Sequence, residues 1–283
     1  MIDVAPANGQ VVERGRGAGD VRKYISASRL NTWMSCPLKF KLRYLDGIRT
    51  PASPAMFLGK KVHRGLEIYY RHRMLGITLQ PGDVAGRMID GWDAAVEEDE
   101  MIFAKEEDEM AVKKQAVDLA AAYLAHVPDD EPAPKAVEVT MKVPLVDPFT
   151  GEDLRISLLG VVDLLLPEDD GQAIIDFKTS SRSAPPHEIT HEVQLSCYAY
   201  LFRQATGQNE SGLEIRSLVK TKTPKIEFHE YPARTEDHLR RLFALIREYI
   251  DAIDSGKFNY RPGWGWGCAM CDHRDSHCRR WAG

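Results

Sequence analysis

The chain has 283 residues, enough for one large domain or two small ones with a substantial core. Its 43% hydrophobic and 28% charged content is that of a globular protein and sets aside disordered and fibrous classes. No apolar run is long enough to cross a bilayer, and the first residues lack the apolar core of a signal peptide, so a cytoplasmic location with no membrane partner is expected. The net charge of −5 gives no global basic signature for nucleic acid. Acids gathered in a metal site would mask basic residues confined to one groove. Five cysteines in such a compartment point to metal or reactivity rather than disulfides.

Residues 1–22 mix Gly, Ala, Arg and Pro without apolar periodicity and read as a flexible tail. From Ser26 to Leu45 the pattern is a helical hairpin. Ser26 or Ser28 caps a helix carrying Leu30, Trp33 and Met34, and Pro37 starts a second with Phe40, Leu42, Tyr44 and Leu45. Cys36 lies between them. Phe57 to Tyr70 reads as a helix with Val62, Leu66 and Tyr69 or Tyr70 on one face, and His63 and Glu67 pointing the same way. Gly59-Lys60-Lys61 is not a phosphate-binding loop: no Gly stands five residues before Gly59, and Lys61 replaces the Ser/Thr. Residues 81–127 are helical in pattern, and the acidic run from Glu97 to Glu109 reads as a solvated helix face. Residues 128–134 form a linker, and residues 136–145 alternate as a strand bearing Glu138.

Residues 156–179 hold two apolar runs split by Pro167-Glu168-Asp169-Asp170-Gly171-Gln172, the pattern of a β-hairpin. Each run carries an acid among aliphatics, Asp163 in one and Asp176 in the other. A turn centred between Asp169 and Asp170 sets them opposite each other, with Cβ atoms about 5 Å apart. Lys178, two residues on, shares the face of Asp176. Two carboxylates and a lysine on one side of an apolar hairpin suit a hard divalent cation beside a general base or an electrostatic stabiliser.

Residues 180–190 read as a polar loop with Pro185 and Pro186, and 191–204 as a helix with Gln194 and Tyr198 one turn apart. Two strands follow, 213–220 and 225–231, around a basic turn. Lys220 and Lys222 there, with Lys60, are candidate phosphate contacts. Residues 235–255 form an amphipathic helix. The tail carries Cys268, Cys271 and Cys278, a Cys-x2-Cys-x6-Cys array that reads as a metal site one ligand short. Cys36, Cys197, His273 and His277 are the candidates for that ligand.

Gly160-Val161-Val162-Asp163, Ile174-Ile175-Asp176-Phe177-Lys178-Thr179 and Gln194-Leu195-Ser196-Cys197-Tyr198 together resemble the RecB-like type of PD-(D/E)XK nuclease. The resemblance implies an α/β fold: a restriction-endonuclease-like mixed central sheet flanked by helices. The expected layout is a tail (1–22), a helical N-terminal part (23–134), the nuclease core (135–233), and a C-terminal helix with a cysteine-rich tail (234–283). It also implies metal-dependent DNA exonuclease activity, with Mg²⁺ or Mn²⁺ held by His63, Asp163, Asp176 and the Phe177 carbonyl. Lys178 would then act on the attacking water, and Gln194 and Tyr198 would position the strand. Glu138 is expected beside the ligands or on the strand surface. Cys36 with Cys268, Cys271 and Cys278 looks like the [4Fe–4S] arrangement of CRISPR-associated RecB-like exonucleases, with local zinc binding by the tail and His273 or His277 as the alternative. The implied partners are DNA ends or single strands, and a helicase, recombinase or CRISPR integrase. The alternative function is a nuclease-fold scaffold subunit that has lost activity.

Overall fold

The computed structural model describes residues 21–48, 50, 52–183, 188–263 and 266–280. Residues 1–20 of the expected tail, and Pro185 and Pro186, lie outside this set. The chain divides into two compact units, one of residues 1–50 and 247–283 and the other of residues 51–246. The first unit holds the short strand β1 (Tyr24–Ile25) and helices α1 (Ala27–Ser35) and α2 (Pro37–Phe40).

The larger unit is built on a mixed sheet. Strands β2 (Ala136–Val146), β3 (Asp153–Glu168), β4 (Gly171–Ser180), β5 (Gly212–Val219) and β6 (Lys225–Pro232) lie side by side in that order. All neighbours are antiparallel except β4 and β5, which run parallel and are joined by helix α7 (Glu188–Thr206). The β3–β4 hairpin has the expected register. Glu168 pairs with Gly171 across the two-residue turn Asp169–Asp170, where Gly171 takes φ +151.

Helices cover both faces. Ser53 caps helix α3 (Pro54–Met74) by accepting the Met56 N–H at 3.3 Å, and Pro54 fits the first turn, where no N–H is needed. Its buried side recurs every three or four residues through Phe57, Leu58, Val62, Leu66, Tyr69 and Tyr70. With α4 (Pro81–Asp90), α5 (Trp92–Glu98) and α6 (Glu106–Leu124) it packs on the sheet face that carries Leu164, Ile175 and Phe177. Helix α7 packs on β2 and β3.

That packing explains Gly160 on β3. A Cβ there would stand 2.6 Å from Leu201 Cδ1 and 3.4 Å from Tyr198 Cε1, both on α7. Gly160→Ala is therefore expected to cost about 1–3 kcal/mol in urea unfolding, and Gly160→Val more. An alanine variant as stable as the wild type would show that Leu201 swings aside freely.

The acidic run is not one solvated helix face. It breaks between α5 and α6, and two of its members have partners: Asp99 holds Lys60 Nζ at 2.5 Å, and Glu109 accepts the Trp92 indole N–H at 2.8 Å. A buried indole and a lysine beside the core both need acceptors, and a charge run supplies them locally. Residues 128–134 have no regular structure, yet Glu131 is buried.

In the smaller unit, Ser26 caps α1, and Pro37 begins α2, which continues as a π-helical turn through Leu45. Phe40 sets an edge on Tyr249 and stacks with Phe258, while Trp33 meets Tyr249 edge-on. Among the described residues, no helix is long and apolar enough to cross a membrane.

Candidate active site

The hairpin ladder is paired as far as Leu164↔Ile175, so Asp163 and Asp176 form the next step in register. There the strands part, and the Asp163 carboxylate takes the place of a ladder carbonyl by accepting the Phe177 N–H at 2.8 Å. On the other side of β3, Glu138 falls opposite Asp163, between the pairs Val137↔Leu164 and Val139↔Val162. Three acids from three adjacent strands thus form one row. Glu138 adopts φ +50, a left-handed conformation that costs about 1–3 kcal/mol and is typical of functional sites.

His63 comes to this row from α3. Its Nδ1 lies 3.6 Å from Asp163 Oδ1, and one donor atom from each of His63, Glu138 and Asp163 lies within 4.8 Å of the others. Asp176 is held differently. One oxygen accepts the Gln194 amide at 2.8 Å and the Tyr198 hydroxyl at 3.3 Å; the other faces the Lys178 ammonium in an ion pair. Gln194 and Tyr198 also bond each other at 2.9 Å. Asp163, Asp176, Lys178, His63, Gln194, Tyr198 and Phe177 are therefore brought together, with Glu138 added to them.

Burial is the dominant electrostatic influence, and charge crowding adds to it. Burial, then the neighbouring Asp163 charge, pushes Glu138 up to about 7. Burial raises Asp176 too; Lys178 opposes this, and the Asp163 charge adds to it. Burial favours neutral His63, but its hydrogen bond to Asp163 and the charges of Asp163, Asp176 and Glu138 prevail and raise it. Glu138 and Asp176, pushed toward neutrality by burial and further by the Asp163 charge, mark a place where a cation relieves the cost of buried charge. One imidazole and several carboxylate oxygens suit Mg²⁺ or Mn²⁺.

Of the candidate phosphate contacts, Lys60 is engaged by Asp99. Lys220 and Lys222 sit in the β5–β6 turn, and the Lys220 N–H donates to the Ser180 carbonyl at the end of β4, the strand of Lys178. In the smaller unit the Cys36 sulfur accepts the Arg261 N–H at 3.5 Å, and Cys268 accepts the Gly263 N–H at 3.1 Å. Burial raises the Cys278 thiol, and the charges of Cys36, Cys271 and Cys268 raise it further. Among the described residues, no three of them come within 4.8 Å of one another. His273 is buried with Nδ1 unpartnered, and Cys197 is a buried thiol pushed up to about 12 by its apolar surroundings.

Residues 24–279 match the family described as the PD-(D/E)XK nuclease superfamily. The chain belongs to that superfamily. Among solved structures, a "putative exonuclease" from Eubacterium rectale aligns with TM-score 0.56 at 17% identity, covering 89% of this chain and 87% of that one. At that identity the likeness speaks for the fold alone. The structure of SSO0001 aligns with TM-score 0.36 at 17% identity, over 77% of this chain and 91% of that one. No curated protein matches the sequence. A PD-(D/E)XK chain is a nuclease by family, and its members generally use Mg²⁺ or Mn²⁺.

Proposed function

We propose that this PD-(D/E)XK protein is a Mg²⁺- or Mn²⁺-dependent deoxyribonuclease of the RecB-like type, removing nucleotides from DNA ends or single strands. The observation that carries this reading is the row Glu138, Asp163 and Asp176, closed by His63 on one side and by Lys178 on the other. His63, Asp163, Asp176 and the Phe177 carbonyl hold the cation, and Glu138 joins them. When bound, the cation supplies an activated water at neutral pH and neutralises charge on the phosphate. Lys178 stands beside the acids without being a cation ligand. Its role is to orient the attacking water and stabilise developing charge, because its ammonium is paired with the Asp176 carboxylate. Gln194 and Tyr198 fix the Asp176 carboxylate from α7, and their proposed role is to position the strand to be cut.

Phosphate contacts come from Lys220 and Lys222 in the β5–β6 turn. Lys60 contributes less, because its ammonium is committed to Asp99. Charge is also unevenly divided: residues 1–50 and 247–283 hold 15 Lys and Arg against 9 Asp and Glu, whereas residues 51–246 hold 22 against 33. The smaller unit therefore carries the positive field that a polyanion needs.

The four thiols are proposed to hold a [4Fe–4S] cluster. Four thiolates, one from the N-terminal segment and three from the tail, suit such a cluster. Work in recombination, repair, phage or CRISPR DNA processing fits this chemistry, with a helicase, recombinase or integrase partner to present the DNA.

The deciding assay compares end-labelled linear DNA with closed circular DNA, with Mg²⁺ or Mn²⁺ and with chelator. Metal-dependent loss of end label with intact circles supports exonuclease action, nicked circles make it an endonuclease, and no cleavage of either rejects the reading. Lys178→Ala is expected to keep Mn²⁺ binding in calorimetry while losing about 10²-fold or more in turnover. Lost affinity with retained turnover would reverse the assigned role.

A further inference from the structure

A buried polar cluster lies behind the site, on the opposite face of β4. Arg216 on β5 donates to the Tyr123 hydroxyl at 2.7 Å, the Tyr70 hydroxyl at 3.0 Å and Glu131 at 2.5 Å, and its Nε donates to Glu214 at 3.0 Å. The Tyr70 and Tyr123 hydroxyls are 2.6 Å apart, and Tyr70 also donates to Glu131 at 2.9 Å. The members come from four parts of the fold: Tyr70 from α3, Tyr123 from α6, Glu131 from the 128–134 segment, and Arg216 and Glu214 from β5.

A buried ion pair is weak support for stability, since apolar residues of similar volume do as well or better. Its value lies in fixing geometry, and what it fixes here is Phe177. Arg216 and Phe177 are register neighbours on β5 and β4. The Phe177 ring is stacked on Tyr70 at 6.0 Å and met edge-on by Tyr123 at 5.4 Å and by His63 at 6.1 Å. The same residue gives its N–H to Asp163 and stands between Asp176 and Lys178. His63 and Tyr70 are two turns apart on α3, so the hold on Tyr70 also sets the helix that delivers His63.

We propose that Arg216, with Tyr70, Tyr123 and Glu131, is a positioning device that sets Phe177 and hence the spacing of His63, Asp163 and Asp176. This rests on reading that row as the cation site. The polar cluster touches neither cation nor DNA; it acts through the phenyl ring. Outer partners of metal ligands commonly change affinity or activity about 10–100-fold when altered, and that is the scale expected here.

The test uses the full chain with Arg216→Met and Glu131→Leu combined, which removes this pair together but leaves Glu214 without Arg216 and Arg73 without the Glu131 carboxylate, so the variant is judged against a control of equal melting temperature. Val84→Ala, in the core on α4, serves as a control of lowered melting temperature. Two readouts are taken: amide hydrogen exchange at Phe177 in the metal-free protein, and Mn²⁺ affinity by calorimetry. The paired variant should exchange at Phe177 about tenfold or more faster than a control of equal melting temperature, and bind Mn²⁺ about 10–100-fold more weakly. If both readouts merely follow melting temperature, as in Val84→Ala, the cluster is structural and the proposal falls. If the paired variant does not fold, Tyr123→Phe keeps the ring, loses one hydroxyl and is held to the same comparison, with smaller shifts in both readouts. Should wild type bind no Mn²⁺, the cation reading fails, and Phe177 exchange alone judges the positioning role.

Discussion

Asp163→Asn and Asp176→Asn are each expected to abolish metal-dependent cleavage, lowering turnover about 10³-fold or more. Loss of a ligand oxygen forfeits several kcal/mol of charge stabilisation in the transition state, and every 1.36 kcal/mol is tenfold in rate. The fold should survive. Asn at 176 still offers an oxygen to Gln194, and the half-exposed Lys178 can turn to water. In chelated protein the pH dependence has a definite sign. Burial is the largest influence on Asp176 and raises it, so the folded chain holds that proton more tightly than the unfolded one. Its contribution is therefore favourable in acid and is lost as pH rises, whereas Asn carries no such dependence. The melting temperature of Asp176→Asn minus that of wild type should climb as pH rises above about 4, the ordinary range of an unfolded Asp. Either variant cutting DNA at the wild-type rate would sink the metal assignment.

Cys36→Ala should bleach iron–sulfur absorbance as fully as Cys271→Ala, although more than 200 residues separate Cys36 from the tail. It should also lower thermal stability markedly, on the order of several kcal/mol, because a cluster closing so long a loop restricts the unfolded chain. The smaller unit already draws these segments together: Arg261 bonds both the Cys36 sulfur and the Met34 carbonyl, and the Leu38 N–H reaches the Asn259 carbonyl. Cys197→Ala should leave the colour intact and cost only about 1 kcal/mol for a trimmed buried group. Metal analysis beside visible spectra separates the possibilities. A colourless wild type with one zinc, indifferent to Cys36→Ala, would refute the cluster while leaving the nuclease reading untouched.

The hairpin with Asp163, Asp176 and Lys178 was legible because turn chemistry and a two-residue period together determine register. Glu138 was only half legible. Alternation put it on a strand, but the positive φ that accompanies its place beside His63 and Asp163 has no signature in a lone glutamate. The Arg216 cluster has a partial signal in the sequence. Glu214 and Arg216 interrupt an otherwise apolar strand, and such charges must find partners. The partners, Tyr70, Tyr123 and Glu131, are 85 to 146 residues away, so no local pattern points to them. The acidic run misled for the opposite reason, since composition alone does not distinguish a wet carboxylate from one serving Trp92 or Lys60.

The division of the chain has a consequence for its synthesis. Residues 51–246 are continuous and can fold as soon as they emerge, whereas the other unit is made from the two ends. Its first half must wait for nearly 200 further residues, roughly 10–40 s at about 5–20 residues per second. During that interval Trp33, Leu38 and Phe40 lack Tyr249 and Phe258 to cover them, and Cys36 lacks the tail thiols. The nascent protein thus passes through a stage with a folded nuclease core and an uncovered apolar, thiol-bearing leading segment. That stage is where a chaperone would decide its yield.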